Sequence, residues 1–240
     1  MIQLFIKEVN GFLDSLIAYI VITVFLTGIG LLMWVFPDTN VFDYGYADMS
    51  TLFTLGPYVF MFLIPAITMR MLAEEQKSGT MELLLTRPLT DLQIILGKYF
   101  AGFFLVFFSV LPTVIYYYSV AQLGNPVGNI DTAGVIGSYI GLLLLGGVFT
   151  SIGILASSLS ENQIVSFILA VFLCFIFFDG FESLSGLFDS GALDVAQLGI
   201  IYHYNAMSRG LIDSRDVVYF LGVIAIMIML TNLKMSSRKW

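Results

Sequence analysis

The sequence predicts an all-α membrane protein with six transmembrane helices, and three observations support this fold class. The chain of 240 residues is 58% hydrophobic and only 11% charged, whereas soluble domains carry roughly 25% charged residues. With a mean hydropathy of +0.93, it has more apolar surface than a soluble core could bury, so lipid is the expected solvent. Six apolar runs approach the length of about 20 residues that a membrane helix needs.

The six runs form one predicted domain that covers residues 1–240. We predict spans at 13–36, 55–72, 100–121, 134–157, 164–178 and 217–233. Pro57 is expected in the first turn of the second span, where its missing N–H is harmless. Pro65 and Pro112 are expected to kink their spans. Before the first span, the ten amphipathic residues 1–10 either lie along the membrane surface or fray.

The distribution of Lys and Arg predicts the orientation, because cytoplasmic loops carry an excess of both. Two of these residues, Arg209 and Arg215, fall on one side of the six spans. Eight fall on the other side, namely Lys7, Arg70, Lys77, Arg87, Lys98, Lys234, Arg238 and Lys239. Both termini, residues 74–99 and the turn at 158–163 are therefore predicted to be cytoplasmic.

The predicted spans lack the residues that several function classes need. No Asp, Glu, Lys or Arg falls at mid-depth in a span, which counts against ion-coupled carriers, proton pumps and intramembrane enzymes. The H-E-x-x-H, G-x-S-x-G and G-x-x-x-x-G-K-[ST] motifs are absent. The lone Cys174 permits no internal disulfide, and His203 is interpreted as a packing residue. We expect a membrane subunit with no catalytic or metal site, no bound cofactor and no nucleic-acid partner.

Glycines mark the fourth span as a site of close helix packing. Gly137 and Gly141 have the G-x-x-x-G spacing that lets helix backbones approach each other in lipid. Their partner is either a helix of this chain or a helix of another chain.

Residues 74–99 form the longest charged interval between two spans. The second span is predicted to continue into it through an Arg70–Glu74 ion pair, and Ser78–Gly79 is predicted to break the helix. A short helix should follow from Met81 and end at residues 87–88, where a proline stops it. The interval is either a docking element for a cytoplasmic protein or a solvated loop on the membrane.

A second helix is predicted after the proline. Thr90 and Gln93 have the spacing of a capping box, and Leu92, Ile95 and Tyr99 follow on one face. This helix should continue into the third span.

The interval resembles the membrane subunit of ABC-2 type transporters, and within that family it is most similar to gliding-motility permeases of the GldF type, with NosY-type permeases as near relatives. The matching pattern consists of Glu74, Glu75, Gly79, Thr80, Glu82, Leu84, Leu85, Pro88, Gly97 and Lys98. Residues 16–21, 158–169 and 202–221 are also similar to family segments, although the family usually has proline where Leu16 stands. The resemblance covers essentially the whole chain and includes no residue that defines a substrate.

The resemblance implies the six-helix ABC-2 permease fold, like that of type V exporters, in a bacterial inner membrane. It implies a dimer of a cytoplasmic ABC ATPase that binds ATP and Mg²⁺, and a second permease subunit that is a copy of this chain or a different chain, in some complexes with a large outer domain. The matching residues, together with Glu161 of the cytoplasmic turn, would couple the ATPase to the spans. Residues 179–216 would lie outside and re-enter the outer leaflet.

Two functional hypotheses follow from these observations. The first is the permease subunit of an ATP-driven transporter complex associated with gliding motility. The second is a membrane scaffold or force-transmitting subunit that moves no solute. A secondary transporter is a weaker third reading, since the predicted spans lack mid-depth ionisable residues.

Overall fold

The computed structural model describes residues 1–43, 45, 47–81, 89–186, 195–210 and 212–237. Within this part of the chain all regular elements are helices, which confirms the all-α class. Six helical segments are long and apolar enough to cross a membrane, as predicted. These spans are Leu16–Trp34, Ser50–Lys77, Asp91–Leu123, Thr132–Leu159, Gln163–Ser185 and Ser214–Ser236.

Several spans consist of two successive helices. In chain order the described helices are α1 (Ile2–Leu13), α2 (Leu16–Trp34), α3 (Ser50–Thr68), α4 (Ala73–Lys77), α5 (Asp91–Val110), α6 (Val114–Leu123), α7 (Thr132–Leu159), α8 (Gln163–Phe175), α9 (Phe181–Ser185), α10 (Ile200–Met207) and α11 (Ser214–Ser236). The second span joins α3 to α4, the third joins α5 to α6, and the fifth joins α8 to α9. All but the first are longer than the sequence predicted, because polar residues at their ends are helical too.

The fourth span, α7, is the centre of the subunit. It packs against α3, α5, α8, α10 and α11, and 78% of its most apolar window is buried. The corresponding buried share is 61% for the second and third spans but only 22–28% for the first, fifth and sixth. The described spans therefore form an inner group of three and an outer group of three that is available to lipid or to another chain.

Glycines allow the inner spans to approach closely. A Cβ added to Gly153 of α7 would collide with Thr68 of α3, and one added to Gly146 would lie 2.7 Å from a methyl group of Val106 on α5. Small residues at such contacts let helices gain van der Waals contact in lipid. The packing of α7 against both neighbours therefore depends on positions without a side chain.

The prolines differ in their effects. Pro112 lies in a 3-10 turn, Leu111–Thr113, which separates α5 from α6 at the position where a kink was predicted. The prediction for Pro57 was wrong, because α3 begins at Ser50 and Pro57 lies in its interior. At the start of the helix, Asp48 accepts a hydrogen bond from the Ser50 N–H at 3.1 Å. Pro65 is also inside α3.

Candidate functional site: the junction of the N-terminal helix with the second and third spans

The helix of the second span is interrupted before it reaches the charged interval. Here α3 ends at Thr68, residues 69–72 form turns, and α4 covers Ala73–Lys77. The predicted break after α4 is present: Ser78 caps the helix, and Gly79 has a φ of 69°. This left-handed conformation favours glycine, because other residues carry a Cβ that clashes there.

The helix that leads into the third span begins with the predicted capping box. The Thr90 hydroxyl accepts from the Gln93 N–H at 3.3 Å, and the Gln93 side chain accepts from the Thr90 N–H at 3.2 Å. These two bonds satisfy N–H groups that have no partner within the helix. As predicted, α5 starts immediately afterwards, at Asp91, and continues into the membrane.

A buried lysine two turns after the start of α5 joins three helices. The side chain of Lys98 on α5 is 1% exposed, and its Nζ lies 2.8 Å from Glu75 Oε1 on α4 and 3.1 Å from Glu8 Oε1 on α1. A buried ammonium requires such partners, because its desolvation costs several kcal/mol. Lys7 adds longer contacts to the same two carboxylates from the surface, at 3.5 and 3.7 Å. We call Glu8, Glu75 and Lys98 the ion cluster.

The N-terminal helix reaches the cluster through one apolar face. Leu4 and Phe12 are buried on this face of α1, and Glu8 lies midway between them at helical spacing. Gly97 of α5 gives α1 room, since a Cβ there would lie 3.1 Å from a methyl group of Leu4. Glu8 was not predicted as a site residue. Its position in the middle of an apolar stripe was the signal that could have identified it.

One oxygen of Glu75 has no hydrogen-bond partner among the described residues. Glu75 Oε2 is buried, whereas Oε1 carries the contacts to the two lysines. Beside it lies a cavity of about 370 Å³ whose lining includes Glu74, Thr80 and the ion cluster. A hydrogen-bond acceptor, Glu75 Oε2, is thus available next to a cavity at the predicted cytoplasmic end.

Arg70 does not form the predicted contact with Glu74. Its guanidinium instead donates to Ser15 Oγ at 3.0 Å and lies 4.7 Å from the centre of the Phe12 ring. The backbone keeps the i,i+4 relation, because the Glu74 N–H bonds the Arg70 carbonyl at 3.3 Å, so the competing contacts of the Arg70 side chain account for the difference. Arg70 therefore ties the second span to the junction of α1 and α2.

The other predicted coupling residues are not part of the ion cluster. Glu74, Gly79 and Thr80 are exposed, and Thr80 shares a 2.8 Å hydroxyl contact with Ser78. Glu161 is exposed in the turn between α7 and α8. Four predicted residues lie outside the described part of the chain, namely Glu82, Leu84, Leu85 and Pro88.

Comparison with known families decides the class of the protein. The family of ABC-2 family transporter proteins matches residues 39–233, which is most of the chain. The chain belongs to the ABC-2 transporter family. No curated protein matches it.

Membership has direct consequences for this ABC-2 permease. It is the transmembrane subunit of a transporter and a multi-pass membrane protein, in agreement with its six apolar helices. ABC-2 permeases are generally not enzymes, and an ABC ATPase in a partner subunit hydrolyses ATP.

The opposite end of the permease is held together by the glycines of the fourth span. A Cβ added to Gly137 would lie 2.9 Å from the Cα of Gly210, and one added to Gly141 would lie 3.1 Å from the Cβ of Met207. The sequence did not decide which segment packs against Gly137 and Gly141. In the structure it is α10 and the turn after it, within this chain. This contact seats a short helix of the outer region against the central span.

Helix α10 also supplies a hydrogen-bond donor that α3 lacks. Pro57 has no N–H, so the carbonyl of Phe53, four residues earlier, has no partner within the helix. Tyr204 of α10 is 2% exposed, and its hydroxyl donates to this carbonyl at 2.6 Å. Burial raises the pKa of the Tyr204 phenol, so the group stays a donor.

The contacts of the His203 side chain are with residues of this chain. Its ring stacks on Tyr219 with 3.9 Å between the centroids. Nδ1 lies 2.6 Å from Asp216 Oδ1, and Nε2 lies 2.9 Å from the Gln197 carbonyl. These contacts connect α10 to the start of α11.

Proposed function

We propose that this chain is the permease subunit that receives ATP-driven motion from a dimer of a cytoplasmic ABC ATPase. In this proposal the ATPase binds ATP and Mg²⁺ and docks on residues 74–99 together with Glu161. A second permease subunit, identical or different, completes the membrane part of the complex. The complex lies in a bacterial inner membrane and serves gliding motility.

The ion cluster is the observation that carries this proposal. It joins α4, which ends the second span, to α5, which begins the third, and to the N-terminal helix. A force applied to the interval between α4 and α5 would therefore reach two spans and α1 together. A solvated loop would not need a cation that is 1% exposed and held by carboxylates from two other helices.

Exposed acids beside the cluster support docking. Glu74 lines the cavity next to the buried Glu75 oxygen and is accessible to a partner. Carboxylates of this kind favour a partner surface that offers Lys or Arg side chains. The association with gliding rests on the sequence resemblance over residues 74–99 and 202–221.

Co-purification from the native cell tests the docking claim. We expect an ABC ATPase to co-purify with the wild-type chain and to be lost with Glu74→Arg, because the new cation would repel a basic partner surface. Glu182→Arg is the matched control, since Glu182 is also an exposed acid in a short helix but lies at the predicted outer end of the fifth span. A Glu74→Arg complex that retains the ATPase and its full activity would contradict the proposal.

Two further measurements test the finer parts. Deletion of the gene should abolish gliding while leaving growth unchanged, and normal gliding would refute that association. A reconstituted complex that hydrolyses ATP without moving any solute would instead indicate a subunit that transmits force to an outer partner.

A further inference from the structure

Ser157 of α7 makes three hydrogen bonds at the interruption of the second span. Its hydroxyl donates to the Met69 carbonyl at 3.0 Å and accepts from the N–H groups of Leu72 and Ala73, both at 3.0 Å. A serine hydroxyl offers one donor and two acceptor lone pairs. The three bonds therefore use its full capacity, at a residue that is 0% exposed.

The hydroxyl stands where a backbone bond of a continuous helix would be. In an α-helix the Ala73 N–H would bond the Met69 carbonyl, four residues earlier. Here both groups bond Ser157 Oγ instead. A side chain inserted into the helical bond ladder is one of the recognised causes of a helix bend. The inserted hydroxyl belongs to α7, so the interruption of the second span depends on a side chain of a different span.

The surroundings fix α4 to the end of α7. Gln76 of α4 donates to the Ser158 carbonyl at 3.3 Å, one residue beyond Ser157. Leu72 and Ala73 are both 0% exposed. The central span thus holds both the interruption and the short helix that carries Glu75 of the ion cluster.

We propose that Ser157 is a positioning residue of the coupling path, which holds the second span bent at residues 69–73 and sets where α4 lies. This inference rests on the proposed function, since a coupling path presupposes an ATPase that moves α4. Displacement of α4 by the ATPase is then passed to α7 through the Ser157 hydroxyl. Without the hydroxyl, the Ala73 N–H and the Met69 carbonyl lose their shared partner, and we expect α4 to shift as these groups bond each other.

Spin-label distances in the purified complex in nanodiscs test the proposal. Labels replace Lys77 at the end of α4 and Leu159 at the end of α7, both exposed, and the buried free Cys174 is replaced by alanine. We expect Ser157→Ala to shift or broaden the distance distribution without nucleotide. Ser158→Ala is the matched control, because that buried hydroxyl donates only to Leu155 of its own helix. An unchanged distribution in Ser157→Ala would overturn the proposal.

A conservative variant and an exchange measurement keep the proposal testable if Ser157→Ala fails to fold. Ser157→Thr retains the hydroxyl, so it should restore the wild-type distance. In the wild-type complex the amides of Leu72 and Ala73 should exchange hydrogen as slowly as that of Gln76, which has a backbone acceptor. Exchange about tenfold faster than at Gln76 would contradict protection by the hydroxyl.

The role in coupling has its own readout. In the presence of ATP, the wild-type distance between the labels and the solvent exposure of the outer ends of the spans should change together. With Ser157→Ala, ATP hydrolysis should continue while the change at the outer ends is lost. If no ATPase associates with the chain, the proposed function fails, whereas the label distances of the chain alone still decide the position of α4.

Discussion

Replacing Lys98 by methionine would remove the cation of the ion cluster while nearly preserving its volume. The Lys98 ammonium lies 2.8 Å from Glu75 and 3.1 Å from Glu8, and these two side chains are each 13% exposed. Methionine leaves both carboxylates with only the longer contacts to the exposed Lys7. They must then take up protons or attract water into the junction of α1, α4 and α5.

The structure indicates the size of this effect. Removing one partner of a buried ion pair costs about 3–5 kcal/mol, because it leaves an uncompensated charge. The residual exposure of the carboxylates favours the lower end, about 3 kcal/mol. A change of 1 kcal/mol shifts Tm by about 2–4 °C in a chain of this size, so Lys98→Met should lower Tm by roughly 6–12 °C.

Thermal unfolding of the purified chain in detergent measures the shift. Lys7→Met is the control, because Lys7 contacts the same carboxylates but is 63% exposed; exposed pairs contribute at most about 1 kcal/mol. Adding Glu75→Gln to Lys98→Met should recover part of the loss, since one unpaired charge is then removed. If Lys98→Met melted no lower than Lys7→Met, the cluster would not hold the three helices together.

Two other substitutions test the packing of the second span. Gly153→Ala should destabilise the fold by about 1–3 kcal/mol, because its Cβ would meet Thr68. Gly222→Ala, which meets nothing within 4 Å, should not, and equal Tm values for the two variants would disprove the close contact. Tyr204→Phe should lower stability by about 1–3 kcal/mol, because the buried Phe53 carbonyl loses the hydrogen bond from the Tyr204 hydroxyl. In the same melts Tyr202→Phe should be neutral, since Tyr202 is 43% exposed; a neutral Tyr204→Phe would refute this role.

The sequence predicted the features that depend on neighbouring residues. Apolar runs predicted the six spans, and the capping box at Thr90 and Gln93 predicted the start of α5. The Ser78–Gly79 break also followed from local conformational preference. Each of these features is encoded within one continuous stretch of chain, so no knowledge of packing was needed.

Contacts between distant segments were not predictable in the same way. Glu8 and Lys98 are 90 residues apart, and Ser157 is 84 residues from Ala73. Arg70 shows the reverse case: the local rule predicted a pair with Glu74, but the side chain contacts Ser15 and Phe12 of distant segments instead. Tertiary packing decided these partners, and a single sequence contains no direct record of it.

The seating of α10 on Gly137 and Gly141 has a consequence for assembly. Small-residue faces in membrane helices are common sites of dimerisation, but here the chain covers that face itself. The proposed second permease subunit is therefore expected to approach through the outer group of spans, where only 22–28% of each apolar window is buried by this chain. Loss of the α10 contact would expose the glycine face and create a competing site for self-association. Correct folding of the outer region would therefore prevent association through the glycine face.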